Sequence, residues 1–522
     1  MDRPKELSEQ NEFMQDENTV ISKAITSLGT RLAKGTIWLL VGNSVSSLFS
    51  LITSIITARI LGQSTFGEFG IITATVALFC IVSESGMGIT NSRYVSLFRN
   101  NNLERAGGII FFSIIIVSIV GSAIFIITYI LTPFLALTVL NAPTLVPYLR
   151  LAALAVIFSS LGGTIGGALS GFEDFRLIAR VNVIQGVLSL PISVIGVIYF
   201  GLAGAVGSFV VNSFIRSLLL GLTLSHRLYY SKVTLSWRLA WQERSVFWRF
   251  SLPAMSSGLM VTPVTWWCST ILVRQIGGYA DLGLFTAANQ WRVALLFLPN
   301  LLGNVALPIL AETWNRGEFE RIKQFILQLF HLLWTFFIPI VIVLIGLSKI
   351  IMGWYGQEFQ LGYAVMILLV LTAYIQLVLS LFGTLIAVFD RMWLGFLMNI
   401  GWAIVIISSA YLFVKPYGAM GLAVAYLLSY MIHAVWTLTF GARVCGRKLW
   451  IEAITMTGVL LLLTYVAFVI ASQSNSVFVL IASVFIGCIM FFGAWHFSPN
   501  AIRQSFVRLI TTMLQKGHDK EV

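Results

Sequence analysis

The chain has 522 residues, 58% of them hydrophobic and only 10% charged, with a formal net charge of +12. Soluble domains carry about 45–50% apolar and about 25% charged residues, so this composition excludes most soluble classes and points to membrane spans. Cys80, Cys268, Cys445 and Cys488 lie far apart without a CxxC pair, which predicts neither a disulfide framework nor a metal site.

Residues 1–34 are polar, lack the basic start and apolar core of a signal peptide, and are expected to form a cytosolic tail. Apolar runs follow at about 35–60, 66–92, 107–132, 149–171, 178–200, 202–225, 249–274, 282–310, 323–348, 361–388, 392–414, 417–442, 449–471 and 476–497. They do not alternate polar with apolar as barrel strands do, so they are read as helices. With the N-terminus inside, the inner segments hold 26 of the 33 Lys and Arg residues. The other side holds Arg59, Arg150, Arg274, Lys349 and Lys415. That bias predicts both termini, including the tail 498–522, on the cytosolic side of the cytoplasmic membrane. It also accounts for the net charge without nucleic acid, through anionic membrane lipids.

Phe172, Asn182, Gly201 and Gly204 recur as Phe389, Asn399, Gly418 and Gly421, each displaced by 217. Arg59-x-x-Gly62 recurs as Arg274-x-x-Gly277, and Gly67-x-Phe69 as Gly283-x-Phe285. The offset covers six helices, an even number, so the two copies run parallel through the membrane. The expected architecture is an all-α polytopic membrane protein of about fourteen transmembrane helices. Two parallel six-helix lobes span 35–225 and 249–444, joined by an interfacial segment 226–248, with two further helices in 445–497.

No P-loop or HExxH motif occurs, and no loop reaches the size of a domain, which argues against an enzyme. No cofactor is expected. The chemistry that remains is polar material within spans. Asn43, Ser47, Ser50, Ser54 and Thr57 form a stripe on the first helix. Thr73, Cys80, Glu84 and Asn91 do so on the second, and Gln185, Ser189 and Ser193 follow Asn182 on the fifth. Such stripes either join helices or line a cavity. A charge at mid-membrane costs at least about 2.5–3.5 kcal/mol, so Arg216, Arg292 and Glu84 each need a wet cavity, an ion-pair partner or a ligand. Asn212 and Asn289 precede the two arginines on the same helix faces, with Asn300 and Asn304 further along. His433 lies at the position equivalent to Arg216, whereas His331 reads as a packing residue. The substrate-binding candidates are therefore Arg216, Arg292, Glu84, Asn212, Asn289 and His433. Gly162, Gly163, Gly166, Gly167 and Gly171 mark a close-packing helix surface.

With its tracts Ala58-Arg59-Ile60-Leu61-Gly62, Phe66-Gly67-x-Phe69 and Glu84-x-Gly86-x-Gly88, the opening of the chain resembles bacterial polysaccharide flippases, the Wzx-type transporters of the polysaccharide transporter family and relatives of the MATE drug exporters. Ala33-x-Gly35 and Arg93-Tyr94 match as well. Glu104-Arg105-Ala106, Gly171-Phe172 and the Gly201/Gly204 pair extend the match. The resemblance implies two lobes around a central cavity, alternating access, and an undecaprenyl-pyrophosphate-linked oligosaccharide as cargo. It also implies a polysaccharide polymerase and chain-length machinery as partners. The intramembrane arginines agree, since a planar guanidinium fork suits phosphate. The alternative is a MATE-type cation or drug antiporter, whose site would call for acidic and aromatic residues. A membrane polymerase and a non-transporting scaffold are further alternatives.

Overall fold

The computed structural model describes residues 38–446 except 232, 234, 252–259 and 390, with scattered positions between 457 and 486. Side chains at 297–309 fall outside this description, as do both tails and the continuous course of the two expected C-terminal helices. Every regular element among the described residues is helical. The chain is a multi-pass membrane protein.

The first lobe begins with α1 (Trp38–Leu61) and α2 (Gln63–Glu84), joined at Gly62, whose φ of +77° a glycine adopts without a Cβ clash. The expected second helix, 66–92, is interrupted. Ser85 and Gly86 adopt left-handed φ values of 51° and 69°, and a separate α3 (Met87–Phe98) follows. Glu84 therefore ends a helix rather than lying within a continuous one. α4 (Leu103–Phe134) runs into a π-turn at Leu135–Val139, and α5 (Val146–Gly171) returns.

α6 (Phe175–Tyr230) is continuous in hydrogen bonding, but its 56 residues would extend about 84 Å if straight, against a hydrocarbon core of about 30 Å. Gly201 folds it at φ 54°, ψ −129° into two spans. The arms come so close that a Cβ on Gly204 would collide with the Gly196 carbonyl oxygen.

A short α7 (Trp237–Gln242) leads to the second lobe. Its Leu239 packs on Gly108 of α4, and Arg105 pairs with Glu243 at 2.5 Å. Trp237, Trp241 and Trp248 are exposed. The second lobe contains α8 (Val261–Val273), α9 (Gly278–Asn315), α10 (Phe319–Gly346), α11 (Ser348–Tyr355), α12 (Tyr363–Val388) and α13 (Met392–Cys445). α10 and α11 meet at a 63° bend. α13 repeats α6: Gly418 bends it at φ 51°, ψ −128°, and a Cβ on Gly421 would strike the Phe413 carbonyl oxygen. Gly196/Gly204 and Phe413/Gly421 are the same contact displaced by 217, so the internal repeat is a repeat of geometry.

The lobes are joined by α2 and α9 at the end of the bundle marked by Gly62. Gln63 Nε2 donates to the Ala280 carbonyl at 3.1 Å, and Phe66 meets Phe359 edge-on at 6.1 Å. Trp266 Nε1 donates to Thr75 Oγ1 at 3.0 Å, and the Tyr279 hydroxyl to the Leu140 carbonyl at 2.9 Å.

Candidate functional site

A cavity of about 400 Å³ opens in the first lobe, between α1, α2 and both arms of α6. Ser50, Ser54 and Thr57 of the α1 stripe line it, with Ser46 and Thr53 beside them. Thr73, Gln185, Ser189, Ser193 and Asn212 add hydroxyls and amides, and Phe66, Phe69 and Phe209 supply rings. Thr286 and Gln290 of α9 close one side, so both lobes contribute. Among the described residues no Asp, Glu, Lys or Arg lines it. Asn212 Nδ2 donates to Ser193 Oγ at 3.3 Å, while Asn212 Oδ1 and Thr53 Oγ1 are buried without a hydrogen-bond partner among the described residues. Unmet polar atoms facing an uncharged cavity are what a neutral polyhydroxyl ligand would satisfy. Asn43, at the other end of the stripe, instead accepts from Asn182 at 2.6 Å and ties α1 to α6.

Arg292 and Asn289 form a second group. Arg292 Nε donates to Asn289 Oδ1 and Nη1 to Gln376 Oε1, both at 2.6 Å. The guanidinium lies 5.4 Å from the centroid of the Tyr426 ring. Every one of these partners is neutral, and Nη2 makes no hydrogen bond to a described residue. Two amide oxygens and a π face hold the charge in place without cancelling it. Asn289 thus positions the arginine instead of pointing free. Gln376 and Tyr426 were absent from the sequence-based candidates, because each lies in a long apolar run with nothing beside it to mark it.

Glu84 and Arg216 form a third group, in which each is the opposite charge acting on the other, with no direct ion pair. Glycines make the space. The Glu84 carboxylate lies over Gly88 and Gly163, where a Cβ on Gly163 would come within 2.9 Å of Oε1. Gly162 lets Ser217 of α6 approach α5. Gly167 packs against the backbone of Gly88, and Gly171 against Asn91 and Val95, so the glycine surface of α5 receives α3. Asn91, also part of the α2 stripe by sequence, spends its amide on structure: it donates to the Thr164 carbonyl at 3.1 Å and accepts from Ser113 at 2.7 Å.

No hydrogen bond or ion pair among the described residues joins the His433 side chain to these three groups. Its Nδ1 is buried without a hydrogen-bond partner among the described residues. It lies 15 residues beyond Gly418, as Arg216 lies 15 beyond Gly201, so the repeat relates an arginine in the field of Glu84 to a histidine whose Nδ1 has no partner among the described residues. The stripe residues Asn300 and Asn304 fall outside the described residues.

Residues 32–314, more than half of the chain, match a family model described as polysaccharide biosynthesis protein. The EPS I polysaccharide export inner membrane protein EpsE of Ralstonia nicotianae is 29% identical over 200 residues, 37% of this chain and 45% of that relative. EpsE of Ralstonia solanacearum is 39% identical over 75 residues, 14% of this chain and 17% of the relative. The matches thus span less than half the length of these curated relatives. Among solved structures, lipid II flippase MurJ in an inward closed conformation superposes with a TM-score of 0.69 at 16% identity, covering 91% of this chain and all of that one. An inward-facing multidrug resistance MATE family transporter superposes with a TM-score of 0.66 at 15% identity, covering 78% and 98%. At these identities the likeness concerns the fold.

Proposed function

Because the chain belongs to the family of polysaccharide biosynthesis proteins, we propose that it carries a lipid-linked oligosaccharide across the cytoplasmic membrane by alternating access. It acts as a transporter and not as an enzyme. The observation that carries this reading is the setting of Arg292: a guanidinium within a span, held by neutral groups, with one edge free of partners among the described residues. An anion completes such a site, and a pyrophosphate matches the fork in geometry and charge. The neutral cavity of the first lobe suits the saccharide, with amides and hydroxyls for its hydroxyl groups and phenylalanine rings for its apolar faces. The carrier proposed is an undecaprenyl pyrophosphate.

Glu84 and Arg216 serve as a coupling pair, whose separation in the membrane is costly and so ties conformational change to protonation or ligand charge. This weakens the antiporter alternative, since the one carboxylate offered to a cation already lies in the field of an arginine. The 26-to-5 distribution of Lys and Arg supports an orientation with the Gly62 end at the outer face and both termini in the cytosol. A polysaccharide polymerase and chain-length machinery are the partners proposed to receive the product.

The test is transport of a lipid-linked oligosaccharide in a strain lacking its own carrier, with membrane-inserted protein quantified in parallel. Arg292→Ala is expected to abolish transport at normal protein level, Arg292→Lys to restore part of it, and Gln376→Ala to lower it. Full transport by Arg292→Ala refutes the site.

A further inference from the structure

A second cleft, of about 410 Å³, lies between the lobes at the Gly62 end. The first lobe contributes the end of α4 and the π-turn, through Phe134 and Thr138. The second contributes Trp267 and Arg274 from α8 and its C-cap, and Tyr411 and Lys415 from the first arm of α13. Trp267 Nε1 donates to the Tyr411 hydroxyl at 3.3 Å, which fixes the wall between the two cations.

Two features set this cleft apart. The first is charge. Arg274 and Lys415 are two of only five basic residues assigned to this side, yet they share one cleft. Neither side chain makes an ion pair or hydrogen bond with a described residue. Asp281, the acid nearest Arg274 in sequence, is occupied at the Gly418 bend, where it accepts from the Ala419 backbone N–H. The second feature is the rim. Phe134, Leu137, Tyr411 and Leu412 are 53–69% exposed, so the mouth opens through an apolar and aromatic border. Aromatic residues of this kind mark the depth of lipid headgroups, and basic pockets between membrane helices take those headgroups.

We propose that this cleft binds a lipid-borne phosphate at the outer face. Two cations without a partner among the described residues favour a pyrophosphate over the single charge of a phosphodiester: Arg274 offers a fork and Lys415 a mobile ammonium. The acyl or prenyl chain leaves through the apolar rim into the membrane. The outer-face assignment rests on the reading under Proposed function, but binding needs no transport and is measured separately from it.

The experiment is native mass spectrometry of the full-length protein titrated with undecaprenyl pyrophosphate, with phosphatidylglycerol, or with neutral phosphatidylcholine. The variants are Arg274→Gln with Lys415→Gln, and a charge-matched control, Arg59→Gln with Lys349→Gln. Arg59, Arg274 and Lys415 are exposed and Lys349 is half-buried, and both variants are compared at equal levels of membrane-inserted protein. The cleft variant is expected to lose undecaprenyl pyrophosphate binding by about tenfold or more, with the control unchanged. Equal losses for phosphatidylglycerol identify bulk lipid as the source and still support the site. Equal binding by the cleft variant, the control and the unaltered protein overturns it. If Arg292→Ala abolishes transport while the cleft variant binds normally, this inference fails and the transport reading stands.

Discussion

Gly67 of α2 and Gly283 of α9 pack against each other across the junction of the lobes, and each occupies the other's place in the repeat. A Cβ on Gly67 would meet the backbone of Tyr279 and Gly283, and one on Gly283 would meet the backbone of Gln63 and Gly67. Residues 63 and 67 are displaced by 216 from 279 and 283, so the contact maps onto itself when the lobes exchange. That reciprocity is the mark of a two-fold axis, and parallel repeats place the axis along the membrane normal. A rocking motion of the lobes must make or break this joint.

Gly67→Ala and Gly283→Ala are therefore expected to destabilise the joined state by about 1–3 kcal/mol each, since backbone cannot retreat as a side chain can. Thermal melting in detergent reads the loss. In the unaltered background, Gln63→Cys with Ala280→Cys should cross-link readily, and adding Gly67→Ala should reduce the yield. An unchanged yield and melting temperature would show that the joint is loose.

Gly201 and Gly418 have matching backbone angles but different surroundings. Nothing lies near a Cβ at Gly201, whereas one at Gly418 strikes the Asp281 carboxylate. Ala at either position costs about 1–2 kcal/mol for the left-handed backbone. Gly418→Ala is expected to lower the melting temperature further than Gly201→Ala, and the excess should shrink in the Asp281→Ala background. Equal effects in both backgrounds would contradict the contact.

Glu84 and Arg216 should show coupling that Arg292 does not. Glu84→Gln leaves Arg216 without its opposite charge, so the single variants are expected to lose membrane-inserted protein. The double variant Glu84→Gln with Arg216→Gln should recover part of it, a non-additive result measured by fluorescence-detected gel filtration. Strict additivity would show that the pair does not interact.

Topology is checked by reporter fusions. Fusions after Gln10 and Gln515 are expected to read cytosolic, and fusions after Leu140 and Gly278 to read external. A reversed reading at Leu140 would also move the cleft of Arg274 and Lys415 to the other face.

Much of this molecule is legible residue by residue. The spans of the described region follow from apolar length, because lipid demands about twenty apolar residues from each crossing helix whatever its neighbours. The repeat is legible too: only glycine fits the bends at 201 and 418 and the crossing at 67 and 283, so the geometry left its trace in residue identity. The hydroxyl stripe of α1 was visible by its period, and most of it does face a cavity. Tertiary structure alone decided the rest. It broke the second helix at Ser85 and Gly86, turned Asn43 and Asn91 to structural bonds, and gave Arg292 the partners Gln376 and Tyr426 from helices distant in sequence. Insertion into lipid is scored one helix at a time, whereas the partner of a polar side chain depends on how each helix is rotated and crossed against the others. That choice is made only when the helices pack.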